Sequence, residues 1–258
     1  MECGMTTTID PAQPRTSPAA AALRSLFIPG PVGRLEALVN TGAPHARFAA
    51  LVCHPHPLGG GSMQNKVVYH AMKALNDPKW GLGWPVLRFN FRGAGLSDGV
   101  HDGQAEAGDL LAALDWLENE FRLPMVVAGY SFGAMMALSA CCSPTPAPEN
   151  IRALALLGLP THDASGVPSD RSSSLGWSSG HDFIYPQLRN CGLPKLFLSG
   201  DRDEFDPDSQ LAVIAASAAK PSQLVLLPRA DHFFTGQLEP MQSALAGWLV
   251  SILKEQLQ

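Results

Sequence analysis

The stretch Met125-Val-Val-Ala-Gly-Tyr-Ser-Phe-Gly-Ala-Met-Met-Ala-Leu-Ser139 decides the fold. Met125 to Ala128 is a short apolar run and reads as a buried strand. Gly129-Tyr130-Ser131-Phe132-Gly133 fits the pattern G-x-S-x-G, and good helix formers, Ala134 to Leu138, follow it. A Gly-Ser-Gly turn can be no more than a turn. A strand before it and a helix after it are the context that makes the serine a nucleophile candidate. Glycines on both sides leave room for a sharp turn that lifts the Ser131 hydroxyl clear of a sheet. The same turn aims the first amides of the helix, that of Phe132 among them, at whatever the hydroxyl attacks.

Working outward, strands and helices alternate. Leu23–Pro29 and Arg34–Val39 flank Gly30-Pro31-Val32-Gly33 and read as an opening hairpin. Phe48–Cys53 is continuously apolar, as a strand covered on both faces should be. Asn65–Leu75 reads as a helix with Val68, Met72 and Leu75 on one side. Val86–Phe91 is the next strand, and Gln104–Phe121 a helix with the stripe Leu110, Leu114, Leu117 and Phe121, closed by Pro124. Past the central stretch come a strand at Ile151–Leu157, a strand at Lys195–Ser199, a helix at Asp208–Ala219, a strand at Gln223–Leu227 and a closing helix at Gln237–Leu253. This alternation predicts an α/β fold, a mostly parallel twisted sheet with helices on both faces. Residues 1–22 read as a disordered tail, with Met5 as an alternative start, and residues 23–258 as one domain. Residues 160–182, rich in Ser, Gly, Asp and Pro, are a lid or mobile excursion within it.

Composition narrows the function. The chain has 258 residues, 46% hydrophobic and 16% charged, enough for one large core. A net charge of −5 gives no basic footprint, so neither nucleic acid nor an anionic membrane is expected as a partner. No run approaches a membrane span, and no signal peptide is evident. The five cysteines have no metal-type spacing, their number is odd, and Cys141 and Cys142 are adjacent. The expectation is five reduced thiols in a cytoplasmic protein.

A serine hydroxyl needs a base, and the base needs a carboxylate to fix its tautomer and stabilise its cation. In a parallel sheet such groups lie on loops at the carboxyl ends of strands. Lys195–Gly200 runs into Asp201-Arg202-Asp203-Glu204, which offers three acids. Leu224–Pro228 runs into Arg229-Ala230-Asp231-His232-Phe233, and His232 alone of the eight histidines falls between the last strand and the last helix. His54 and His56 follow an earlier strand and belong to a Gly-rich loop. They could share a zinc ion, but no third ligand suggests itself.

These segments together resemble the α/β-hydrolases, in particular a bacterial subgroup with dienelactone-hydrolase-like and esterase-like members. The signatures are Cys53-His54-Pro55-His56-Pro57-Leu58-Gly59-Gly60-Gly61, Asn90-Phe91-Arg92-Gly93-Ala94-Gly95, Gly129-Tyr130-Ser131-Phe132-Gly133, Gly200-Asp201-Arg202-Asp203-Glu204 and Ala230-Asp231-His232-Phe233, spanning roughly residues 25–255. The resemblance implies Ser131 as nucleophile, His232 as general base and then acid, and Asp203 as the orienting acid, leaving Asp201 and Asp231 as turn formers and Glu204 facing solvent or a basic side chain. It implies an oxyanion hole from the Phe132 amide and from His56, with Leu58 as the fallback because Pro55 and Pro57 lack an N–H. Trp177 and Tyr130 are the candidate substrate-binding side chains, Phe183 and Tyr185 line a pocket or anchor the excursion, and Arg92 is structural. The implied activity is hydrolysis of a small-molecule carboxylic ester through an acyl-enzyme, without cofactor or metal. The rival readings are an amide, peptide or thioester hydrolase with the same triad, and a catalytically idle binding scaffold.

Overall fold

The computed structural model describes residues 22–142, 149–162, 183–206 and 209–254. Residues 1–21 of the expected tail, and residues 163–182 of the expected lid with Trp177, lie outside the described residues.

Eight strands form one sheet among these residues: β1 (Leu23–Gly30), β2 (Gly33–Asn40), β3 (Ala49–Cys53), β4 (Val86–Phe89), β5 (Met125–Tyr130), β6 (Ile151–Leu157), β7 (Lys195–Gly200) and β8 (Ser222–Leu227). Their order is β1-β2-β4-β3-β5-β6-β7-β8. The hairpin β1–β2 joins β4 antiparallel, and every pair from β4 to β8 is parallel. The helices are α1 (Lys66–Asn76), α2 (Glu106–Phe121), α3 (Phe132–Cys141), α4 (Gln210–Ser217) and α5 (Leu238–Ile252).

Two cores result, one on each face of the sheet. Leu110, Leu114 and Leu117 of α2, with α3 and with Leu211 of α4, pack on one face. Met72 and Leu75 of α1 and Met241, Leu245 and Trp248 of α5 pack on the other. The continuously apolar β5 follows from this, because both its faces are covered and all six of its residues are buried. Side-chain alternation sends Met125 and Val127 to the first core and Val126, Ala128 and Tyr130 to the second.

One expectation from composition fails. Cys142, at the end of α3, is disulfide-bonded to Cys191, just before β7, while Cys53 and Cys141 are free and buried. The adjacency of Cys141 and Cys142 excluded only a bond between those two. The fold brings in a partner 49 residues away. The premise for a cytoplasmic location, reduced thiols throughout, therefore does not hold for this pair. Among the described residues no helix is long and apolar enough to cross a membrane. Closing a loop of 49 residues contributes about 4 kcal/mol by reducing the entropy of the unfolded chain. Five cysteines less the bonded pair leave three thiols, the number expected from denatured protein titrated without reductant. A titre of five would show the pair reduced in solution.

Candidate active site

The site is assembled at the carboxyl ends of the parallel strands. β5 ends in a turn tight enough that a Cβ on Gly133 would lie 2.5 Å from the carbonyl oxygen of Cys53. Ser131 occupies φ 55°, ψ −117°, a region that non-glycine residues rarely enter and that costs on the order of 1–3 kcal/mol. The surrounding contacts hold it there: its N–H donates to Leu157 O of β6 at 2.9 Å, and its carbonyl accepts from Ala134 N–H at 2.9 Å.

Three of the sequence-derived residues meet. His232 Nε2 lies 3.0 Å from Ser131 Oγ, and His232 Nδ1 lies 2.9 and 3.0 Å from the two oxygens of Asp203. All three side chains are buried. Burial pushes the Asp203 carboxyl up. Hydrogen bonds from His232, from Ser199 Oγ–H at 2.6 Å and from Phe205 N–H at 2.9 Å outweigh it, so the net shift is downward. An ionised Asp203 only accepts, so the imidazole proton sits on Nδ1 and Nε2 presents its lone pair to the Ser131 hydroxyl.

The other loop acids have different work. Asp201 accepts from Arg229 N–H at 2.6 Å and ties the acid loop to the histidine loop. Asp231 accepts from Thr235 N–H at 2.8 Å within its own turn. Glu204 is exposed to solvent, and its carboxylate accepts from His232 N–H at 3.2 Å.

Several further expectations change. Tyr130 does not line a pocket: it is 1% exposed, and its hydroxyl donates to His232 O at 3.1 Å. Leu58 N–H donates to His56 Nδ1 at 3.1 Å, which caps the short 3₁₀ turn Pro57–Gly59, so this amide is directed at its own loop and the fallback oxyanion donor is lost. Phe132 opens α3, and its N–H lies in the helix's first turn, at the positive end of the helix dipole. Its ring packs 5.2 Å from that of His56, which brings the His54–Gly60 loop beside the Ser131 turn. Tyr185 donates its hydroxyl to Pro160 O at 2.5 Å, tying the chain just after the excursion to its first residue. Arg92 is structural as expected, its guanidinium held by Asp109 at 2.6 Å and by Ala105 O at 3.0 Å. Phe233, given no role in the sequence reading, is 45% exposed with its ring edge-on to His232 at 5.5 Å.

Behind the His54–Gly60 loop lies a buried group that motif reading missed. His101 Nδ1 is 2.7 Å from Glu106 Oε1, at ion-pair distance but out of hydrogen-bond alignment. The His101 ring packs against His56 at 4.6 Å and Phe132 at 5.3 Å. His54 is fully buried; its Nδ1–H donates to Pro55 O at 2.6 Å and its Nε2 accepts from Phe91 N–H at 2.9 Å. Neither nitrogen remains for zinc. Burial is the main cause that lowers its pKa to about 4.

The sign of the consequence is fixed. Below about pH 6.5 the unfolded chain takes up a proton at His54 that the folded chain refuses until about pH 4. Its contribution is therefore complete above pH 6.5 and is lost as pH falls, amounting to about 3 kcal/mol between pH 7 and 4. Urea unfolding at both pH values should show a smaller acid loss in His54→Gln, which does not titrate, than in wild type. Equal losses in the two proteins would remove His54 from the account.

Comparison with known proteins agrees with this fold. A family model for the alpha/beta hydrolase fold matches residues 50–178. An uncharacterised protein of Rickettsia prowazekii is 34% identical over 88% of this chain and 89% of its own length. The structure of an alpha-beta serine hydrolase homologue from Coxiella burnetii is similar at 30% identity and a TM-score of 0.71, covering 88% of this chain and 97% of that one. A Xanthomonas campestris protein described as a serine hydrolase without lid also matches at 30% identity, with a TM-score of 0.68 over 90% of this chain and 95% of its own. A dienelactone hydrolase from Anabaena variabilis, 18% identical with a TM-score of 0.66 over 90% of this chain and 98% of its own, shares the fold. With the sheet order, the strained serine turn and this matched span in hand, the chain belongs to the α/β-hydrolase family.

Proposed function

We propose that this protein is a serine hydrolase that cleaves a carboxylic ester through an acyl-enzyme. The observation that carries the reading is the unbroken contact line from Ser131 Oγ through His232 Nε2 and Nδ1 to Asp203, at 3.0 and 2.9 Å. Ser131 attacks the carbonyl carbon while His232 Nε2 takes the hydroxyl proton. Asp203 keeps the ring oriented and stabilises the imidazolium. The negative charge on the former carbonyl oxygen falls to backbone amides, with Phe132 N–H as one donor and His56 N–H as the second. Such donors are the largest single contribution in acyl transfer. His232 then gives its proton to the leaving alcohol, and water repeats the sequence on the acyl-enzyme to release the acid. The exposed Phe233 ring beside His232 supports a substrate with an apolar group near the scissile bond. No step calls for a cofactor.

Two measurements test this. A fluorophosphonate probe should label Ser131, identified by peptide mapping. A panel of p-nitrophenyl esters, thioesters and anilides should give the highest kcat/KM for an ester. Failure to label would point to an idle scaffold, and faster turnover of thioester or anilide would move the bond assignment.

A further inference from the structure

We propose that Tyr130 and Glu204 are positioning residues that hold the catalytic histidine by its backbone, Tyr130 at its carbonyl and Glu204 at its N–H. The proposal rests on the triad reading above. His232 sits in the loop between β8 and α5, outside any ladder or helix that would fix its main chain. Both of its backbone groups are nevertheless taken by side chains. Tyr130 O–H donates to the carbonyl at 3.1 Å, and the Glu204 carboxylate accepts from the N–H at 3.2 Å.

The origin of the two braces is informative. Tyr130 is the last residue of β5 and immediately precedes Ser131; Glu204 immediately follows Asp203 after β7. Each of the other two triad members thus has its chain neighbour bonded to the backbone of the third. The contacts span 102 and 28 residues of sequence, so they register three separate loops against one another.

The chemistry of each brace suits the task. Burial and the nearby carboxylates of Asp203, Glu204 and Asp231 raise the phenol's pKa, so Tyr130 remains a donor throughout the working range. Its ring also packs 5.3 Å from the imidazole, with Phe205 at 4.2 Å. Tyr130→Phe therefore keeps the packing and deletes only the hydroxyl. Glu204 is exposed, and its replacement leaves the core untouched.

The test uses the full chain with Tyr130→Phe, Glu204→Ala and Glu204→Gln. Kinetics on a p-nitrophenyl ester are combined with the low-field proton resonance of the His232 Nδ1–H bonded to Asp203. A misplacement of the base of about 1 Å can cost about 100-fold, so Tyr130→Phe should lower kcat by about 10- to 100-fold. KM should stay within about twofold of wild type, as for an interaction felt in the transition state only. The resonance should shift or broaden. Glu204→Ala should fall in the same direction, and Glu204→Gln should recover, because a neutral amide oxygen still accepts the N–H. Wild-type kcat with an unmoved resonance in Tyr130→Phe would overturn the proposal. Glu204→Gln as impaired as Glu204→Ala would overturn the backbone role of Glu204. Fluorophosphonate labelling of the wild type separates the two levels: an unlabelled wild type removes the triad reading and this inference together, whereas a labelled wild type with unaffected variants removes only this inference.

Discussion

Ser131→Ala should abolish ester hydrolysis, lowering kcat by at least about 10⁴-fold with the fold intact. The size of the effect follows from the kind of step removed. Without Oγ no acyl-enzyme forms, and what remains is water attacking a carbonyl polarised by backbone amides. The fold should tolerate the change because Ser131 is held by main-chain bonds, its N–H to Leu157 O and its carbonyl to Ala134 N–H, neither of which uses the hydroxyl. The loss should appear in single-turnover release of p-nitrophenol, and circular dichroism should be unchanged. Turnover within tenfold of wild type would falsify the assignment of the nucleophile.

Asp203→Asn should be nearly as severe, about 10⁴-fold in kcat. An asparagine amide can present N–H₂ to His232 Nδ1, which favours the tautomer with its proton on Nε2, where it blocks acceptance from Ser131. Ser199 Oγ–H, which donates to Asp203 Oδ2, restrains the side chain in either form. The neighbouring acids provide the contrast. Asp201→Asn keeps an oxygen for Arg229 N–H and touches no imidazole atom, so it should stay within about threefold of wild type, as a surface change away from the reacting groups should. A dead Asp201→Asn beside an active Asp203→Asn would reverse the assignment.

Much of the molecule was legible in the sequence, and the reason is locality. The hairpin turn, the apolar strands and the stripe of α2 are each set by neighbours within one or two turns. The G-x-S-x-G turn and the two loops after β7 and β8 announce themselves in a few residues each. What escaped depends on which residues meet across the sheet. Cys142 and Cys191 are joined only because α3 and the approach to β7 lie side by side. Val86–Phe91 stops as a strand at Phe89 because Phe91 N–H turns to His54 instead of a ladder partner. Leu58 was lost as a donor because His56 bends back over its own loop.

Tyr130 is the instructive miss, since a signal was present. Counting by twos along β5 sets Tyr130 with Val126 and Ala128, on the face covered by α1 and α5. That face is interior, so a side chain there serves the scaffold rather than a ligand. The His101–Glu106 pair carried no comparable signal. Its members lie on a loop and at the start of α2, and only the packing of His101 on His56 and Phe132 links them to the site.

The order of Ser131 and His232 along the chain has a consequence for biosynthesis. Ser131 leaves the ribosome 101 residues before His232. At about 5–20 residues per second, that is a delay of about 5–20 seconds. During it the elbow can fold against β3 and β6, but the serine has nothing to take its proton. β8 must first add to the edge of the sheet, and α5 must dock on α1, where Gln242 meets His70 at 2.9 Å. On the proposed triad the histidine is thus the last of the three members to arrive, and a chain cut short before residue 232 would leave the Ser131 hydroxyl without its base.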